Sequence, residues 1–161
     1  VSGSAKPVAP AQRAKPLGLS ELPASAFRTS GSVRFSDCDP AGIVYTPRFV
    51  DMMNGAIEDF FPGALGLDYH HILRDRRIGL GYASVACDFF AVASMGDPLT
   101  FTTLVEHVGG ASSHLVVHIH RGETEICRGR FIMVTTSLAD HRPFRFEALR
   151  LALTAYQEIC R

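Results

Sequence analysis

The sequence has no excess charge of either sign, no long hydrophobic run, no closely spaced cysteine pair and no internal repeat. Lysine and arginine together number 16, as do aspartate and glutamate, so the formal net charge is zero. General electrostatic attraction to nucleic acid or an anionic membrane needs a basic excess, so neither partner is expected. No stretch approaches the roughly 18–20 consecutive apolar residues that cross a bilayer. No apolar segment follows Lys6 and Arg13 as it would in a secretory signal. Cys38, Cys87, Cys127 and Cys160 are scattered without a CxxC spacing. In a chain of this size they read as free thiols in a reducing compartment, which predicts a cytoplasmic protein.

What is present is a balanced globular composition, 47% hydrophobic and 20% charged over 161 residues, enough for one domain with a core. Residues 1–27 are rich in Ala, Pro, Ser and Lys without periodicity, and read as an extended or flexible arm before a domain over 28–161. Alternation over Gly31–Phe35 predicts a short strand, and the Asp-, Pro- and Gly-dense stretch Ser36–Val44 a loop. Thr46-Pro47 is a helix start, and Phe49, Met52, Met53, Ala56, Ile57, Phe60 and Phe61 form one broad apolar stripe. A short helix is expected near Tyr69–Arg76. Strands are expected over Val85–Val92, Leu99–Val108, His114–His120 and Glu125–Thr136, and a final helix over Glu147–Ile159. Short connections make the strands antiparallel, and the order defines an α+β domain.

The chemistry-bearing segment runs from Arg34 to Arg48, where the chain passes through SDCDPAGIV into the N-terminus of the long helix. A helix N-terminus offers unpaired N–H groups and a partial positive charge, the equipment of an oxyanion site. Asp37 and Asp39 lie just before it. A carboxylate beside such a site is the minimum needed for acyl transfer, although Asp-x-Asp-Pro also makes ordinary turns.

The run DCDPAGIVY, followed by Pro47, Arg48 and a helix rich in Met and aromatics, resembles the 4-hydroxybenzoyl-CoA thioesterase family of hotdog proteins. The resemblance is close over Val33–Phe61. It implies a five-stranded antiparallel sheet wrapped around one long helix, homodimers that often pair into homotetramers, and active sites shared between subunits. It places the catalytic carboxylate on Asp39, with the backbone N–H of Thr46 polarising the carbonyl and Asp37 tied into the loop. Tyr45, Asn54, Ser112 and Ser113 become candidate substrate contacts. The expected reaction is hydrolysis of an acyl-CoA with an aromatic or compact acyl group. Asp39 would act as nucleophile or general base, with no metal and no cofactor.

Other residues offer weaker alternatives. Glu58 on the long helix is a second acidic candidate but reads better as part of a polar face. His114, His118 and His120 share a strand face, yet no cysteine or carboxylate stands at a familiar zinc-ligand spacing. The turn Gly109–Ser113 resembles the place where relatives meet CoA but lacks their basic residues, leaving its backbone and Ser hydroxyls, or Arg128 and Arg130, to meet phosphate. A thioesterase acting on acyl-carrier protein and a non-catalytic acyl-CoA-binding module are the competing functions.

Overall fold

The computed structural model describes residues 14–161. One sheet contains β1 (Phe27–Ser32), β2 (Ile78–Phe89), β3 (Pro98–Val108), β4 (Ser112–Arg121) and β5 (Thr124–Ser137). The strand order is β1-β3-β4-β5-β2, with every neighbouring pair antiparallel. Among the described residues three α-helices accompany it: α1 (Thr46–Phe60), α2 (Tyr69–Arg74) and α3 (Glu147–Ile159).

The apolar stripe of α1 puts Phe49, Met53, Ala56, Ile57 and Phe60 into the core. They meet the inward residues of the sheet, among them Leu115, Val117 and Ile119 of β4 and Phe131 and Met133 of β5. The helix comes close to the sheet at Gly129 of β5, where a Cβ would stand 2.8 Å from the Phe131 ring and nearer still to the Met53 sulfur. Helix α3 closes the far side: the Tyr156 hydroxyl donates to the Thr103 carbonyl at 2.6 Å and accepts the Phe27 N–H at 2.7 Å. The arrangement is the hotdog one, a sheet packed on a single long helix.

The third, fourth and fifth strands and α3 lie where the pattern predicts, but the first two strands begin earlier. β1 occupies Phe27–Ser32, and Phe35–Asp37 is a 3-10 turn that leaves Phe35 85% exposed. Phe27, not Phe35, is the anchoring aromatic, with its ring 5.8 Å from that of Phe60. β2 begins at Ile78 because Gly79 is a strand residue opposite Thr136 and not a break; a Cβ there would lie 2.6 Å from the Thr136 hydroxyl. Past Phe60, α1 continues as one wider turn, Phe61–Leu65.

Residues 1–13 of the expected arm lie outside the described residues. Residues 14–26 run over the outer face of the sheet. There the Leu17 N–H donates to Oε2 of Glu125 at 2.7 Å, Arg128 donates to the Lys15 carbonyl at 3.0 Å, and Ser20 donates to Glu123 through N–H and hydroxyl at 3.0 and 2.9 Å. Beneath this strap, Glu125 is fully buried between Arg128 (2.6 and 2.8 Å) and Nδ1 of His118 (2.7 Å). Burial pushes the Glu125 carboxyl up, but Arg128, the Leu17 N–H and His118 outweigh it and hold it below its ordinary value. Burial likewise pulls His118 down to about 4, so it sits neutral and donates to Glu125.

Candidate active site

The loop from Asp37 to Tyr45 folds back on itself as a miniature hairpin. The Tyr45 N–H donates to the Asp37 carbonyl (2.9 Å), Cys38 bridges Val44, and the Asp39 N–H donates to the Ile43 carbonyl (3.0 Å). Asp37 anchors its base. Its carboxylate, 8% exposed, accepts the Arg34 N–H at 2.8 Å and the Arg48 guanidinium at 2.9 and 3.3 Å. Val44 is clipped to the next loop by its N–H on the Ala93 carbonyl (2.9 Å). The segment is therefore fixed at both ends against the start of α1.

Asp39 sits at the tip. One carboxylate oxygen, Oδ1, accepts the Ala41 N–H at 2.8 Å, an Asx-type turn of the kind Asp favours. The other has no hydrogen-bond partner among the described residues, and Asp39 lines a recess of about 420 Å³ together with Phe35, Cys38, Pro40, Gly42 and Met95. The hairpin ends at the first turn of α1, where Tyr45 is the N-cap, Thr46 the first helical residue and Pro47 the second. The Thr46 N–H has no partner among the described residues, as expected of a first helical donor. A half-free carboxylate and a free helix-end donor thus share one short segment.

The remaining candidates are dispersed. Asn54, half-buried, lies eight residues along α1, about 12 Å by the rise of a helix. Its Oδ1 accepts the Tyr82 hydroxyl at 2.9 Å. Glu58 pairs with His70 at 3.1 Å on an exposed flank. Ser112 and Ser113 lie at the β3–β4 turn, the opposite end of β3 from the Asp39 loop, and Ser113 is buried. Ten residues of extended chain put that turn about 33 Å from the Asp39 end within one chain.

Arg128 and Arg130 are committed elsewhere, the first to Glu125 and the second to Asp88 at 2.7 Å, so the sequence-based suggestion of phosphate contacts there gives way to ion pairs. His118 and His120 also have partners, Glu125 and the Leu17 carbonyl (3.0 Å). Among the described residues, no group of three or more potential ligands gathers as a metal site. A basic side chain of α3 does stand at the turn: Arg150 lines the same shallow cleft as Gly109–Ser113, in an ion pair of its own as Arg130 is. Only the long-range fold brings it there. The sequence signal was its place on the first turns of α3, beside Glu147, which it grips at 2.6 Å.

A hotdog domain with a carboxylate poised at the N-terminus of its central helix is the layout of a thioester-cleaving protein. Residues 33–153 match the thioesterase-like superfamily, and the chain belongs to that family and is a thioester hydrolase. A gentisyl-coenzyme A thioesterase shares its fold with TM-score 0.68 and 26% identity, over 80% of this chain and 99% of that one. The 1,4-dihydroxy-2-naphthoyl-CoA thioesterase of Synechocystis aligns with TM-score 0.73 and 21% identity, over 80% and 96%. A Staphylococcus aureus protein solved in complex with CoA aligns with TM-score 0.78 and 14% identity, over 84% and 86%. No curated protein matches the sequence.

Proposed function

We propose that this protein hydrolyses an acyl-CoA thioester with an aromatic or compact acyl group, using Asp39 as the reacting carboxylate and the Thr46 N–H as oxyanion donor. The observation that carries this reading is the free oxygen of Asp39 at an apolar recess, on a hairpin that leads directly into the open N-terminus of α1. In direct attack Asp39 displaces CoA thiolate to give a mixed anhydride, which water then hydrolyses to the acid and free Asp39. As general base Asp39 takes a proton from water as it adds to the carbonyl, and the tetrahedral intermediate expels CoA thiolate, which takes up that proton. Both use the same oxygen, and both place negative charge where the helix end neutralises it. Thiolate is a good leaving group, so the chemistry calls for neither metal nor organic cofactor. Two named neighbours act on aryl-CoA esters, which supports the aromatic preference.

The complete site needs two copies of the chain. β2 is an edge strand among the described residues, and its exposed stretch Ala83–Ala86 has neither proline nor lysine to guard it. Antiparallel pairing of two β2 edges sets the Asp39 end of one copy against the turn end of the other. That removes the 33 Å separation and lets Ser112, Ser113 and Arg150 of the second copy meet the nucleotide end of CoA, while Tyr45, 54% exposed, flanks the thioester. That pairing makes a homodimer, and the proposed assembly is a homotetramer of two such dimers in the cytoplasm.

The test is thiol release from aromatic and aliphatic acyl-CoAs, run beside the same acyl groups on acyl-carrier protein. Turnover of aryl-CoA in preference to the carrier-bound form supports the proposal. Preference for the carrier makes the protein a carrier-protein thioesterase, and binding of CoA esters without release makes it a non-catalytic module.

A further inference from the structure

Helix α1 and the edge strand β2 meet along a seam that starts beside the Asp39 loop, where the Phe49 and Phe89 rings lie 5.6 Å apart, and runs to Asn54 and Tyr82. Tyr82 stands where β2 is irregular, its register against β5 shifting between Tyr82 and Ser84. Its ring is packed against Phe131 at 5.1 Å, and Phe131 is 1% exposed, so the phenol has little freedom to turn away. Its hydroxyl donates to Oδ1 of Asn54 at 2.9 Å. Burial raises the Tyr82 phenol above its ordinary range, so at neutral pH it stays protonated and remains a donor.

An amide has one acceptor oxygen and two N–H donors. Tyr82 occupies the oxygen, and the Asn54 nitrogen has no partner among the described residues. We propose that Tyr82 sets the polarity of the acyl pocket, holding Asn54 so that it presents N–H donors and favours acyl groups whose distal substituent accepts a hydrogen bond. This rests on the proposed thioesterase function, with Asn54 of α1 as the contact to the acyl group. Carbonyl, carboxylate and ether substituents are matched to such a pocket, whereas an aryl amine, a donor and a poor acceptor, meets donors with a donor. Because an amide oxygen can accept a second bond, the discrimination is partial. One hydrogen bond of ordinary worth corresponds to about tenfold in rate. Tyr82 is a positioning residue here, since it acts on substrate only through Asn54.

The experiment measures kcat/KM for 4-acetylbenzoyl-CoA, 4-aminobenzoyl-CoA and benzoyl-CoA, with the 3-substituted pair alongside, for wild type, Tyr82→Phe and Asn54→Asp. The readout is how the acetyl-to-amino ratio changes between variants, which cancels the intrinsic reactivities of the two esters and is indifferent to the fraction of protein folded. Tyr82→Phe frees the oxygen and should lower the ratio about tenfold. Asn54→Asp, an acceptor without donors, should lower it further. If benzoyl-CoA is hydrolysed but the ratio is the same in wild type and Tyr82→Phe, the proposal is overturned while the thioesterase reading stands. If wild type hydrolyses none of these esters, the reading of the site fails and takes the proposal with it.

Discussion

A single methyl group at Gly129 is expected to push α1 away from the sheet. A Cβ there would stand 2.8 Å from Cε2 of Phe131 and 3.2 Å from Cε of Met53, with Sδ of Met53 closer still. Unstrained carbon contacts lie at about 3.5–4.0 Å, so both neighbours must yield. Neither can swing out to solvent, because Met53 is 0% and Phe131 1% exposed. Overpacking of this kind costs about 1–3 kcal/mol, against about 0.4–1 kcal/mol gained by stiffening the unfolded chain. We expect Gly129→Ala to destabilise the protein by about 1.3 kcal/mol net, lowering Tm by roughly 4 °C. Urea titration at a fixed protein concentration reads the first figure and a thermal melt the second. Met53→Ala makes room for the methyl group. The double variant should therefore be more stable than the sum of the two single losses implies, by about 1–2 kcal/mol. A loss below about 0.5 kcal/mol for Gly129→Ala, or strict additivity, would refute the packing argument.

Three further outcomes follow from the strap and the loop. His118 titrates at about 4 in the folded protein, below the ordinary histidine value, so the unfolded chain takes up its proton first as the pH falls. Its contribution to stability is complete above pH ~6.5 and is lost between ~6.5 and ~4 at up to about 1.4 kcal/mol per pH unit, a slope that His118→Asn should remove from urea titrations at pH 7 and 5. Glu125→Gln leaves Arg128 only 9% exposed without its counter-charge and should cost about 3 kcal/mol, whereas Glu147→Gln on the solvent-facing pair with Arg150 should leave the urea midpoint almost unmoved. Asp37→Asn weakens the charged bonds to Arg34 and Arg48 that fix the loop, so kcat/KM should fall by about ten- to a hundredfold with a stability loss of about 1–2 kcal/mol.

Periodicity carried most of the architecture. The apolar spacing of α1 and the alternation along β3, β4 and β5 are governed by one dominant contact each, helix to sheet or strand face to core, and such patterns survive in the sequence. The first two strands were harder because their decisive partners are distant. Phe27 is placed by Phe60 and Tyr156, and Gly79 by the close approach of Thr136 and Leu138. The strap was harder still, since the pairing of Leu17 with Glu125 and His120 spans more than a hundred residues and leaves no local signal. At the site, the loop motif was legible because a short segment builds the hairpin, its Asx turn and the helix start. The Tyr82–Asn54 pair and the approach of Arg150 to the 109–113 turn were not, because only the assembled sheet brings them together.

The central claim, that Asp39 is the reacting carboxylate, is tested most directly by kcat/KM for the best aryl-CoA substrate with wild type and Asp39→Asn. Binding of CoA by each is measured in parallel. Asparagine preserves the size of the side chain and its acceptor for the Ala41 N–H but removes the nucleophile or base. The account predicts a fall of about 10³-fold or more with CoA affinity unchanged. Activity of Asp39→Asn within tenfold of wild type would contradict it and move the chemistry away from this loop.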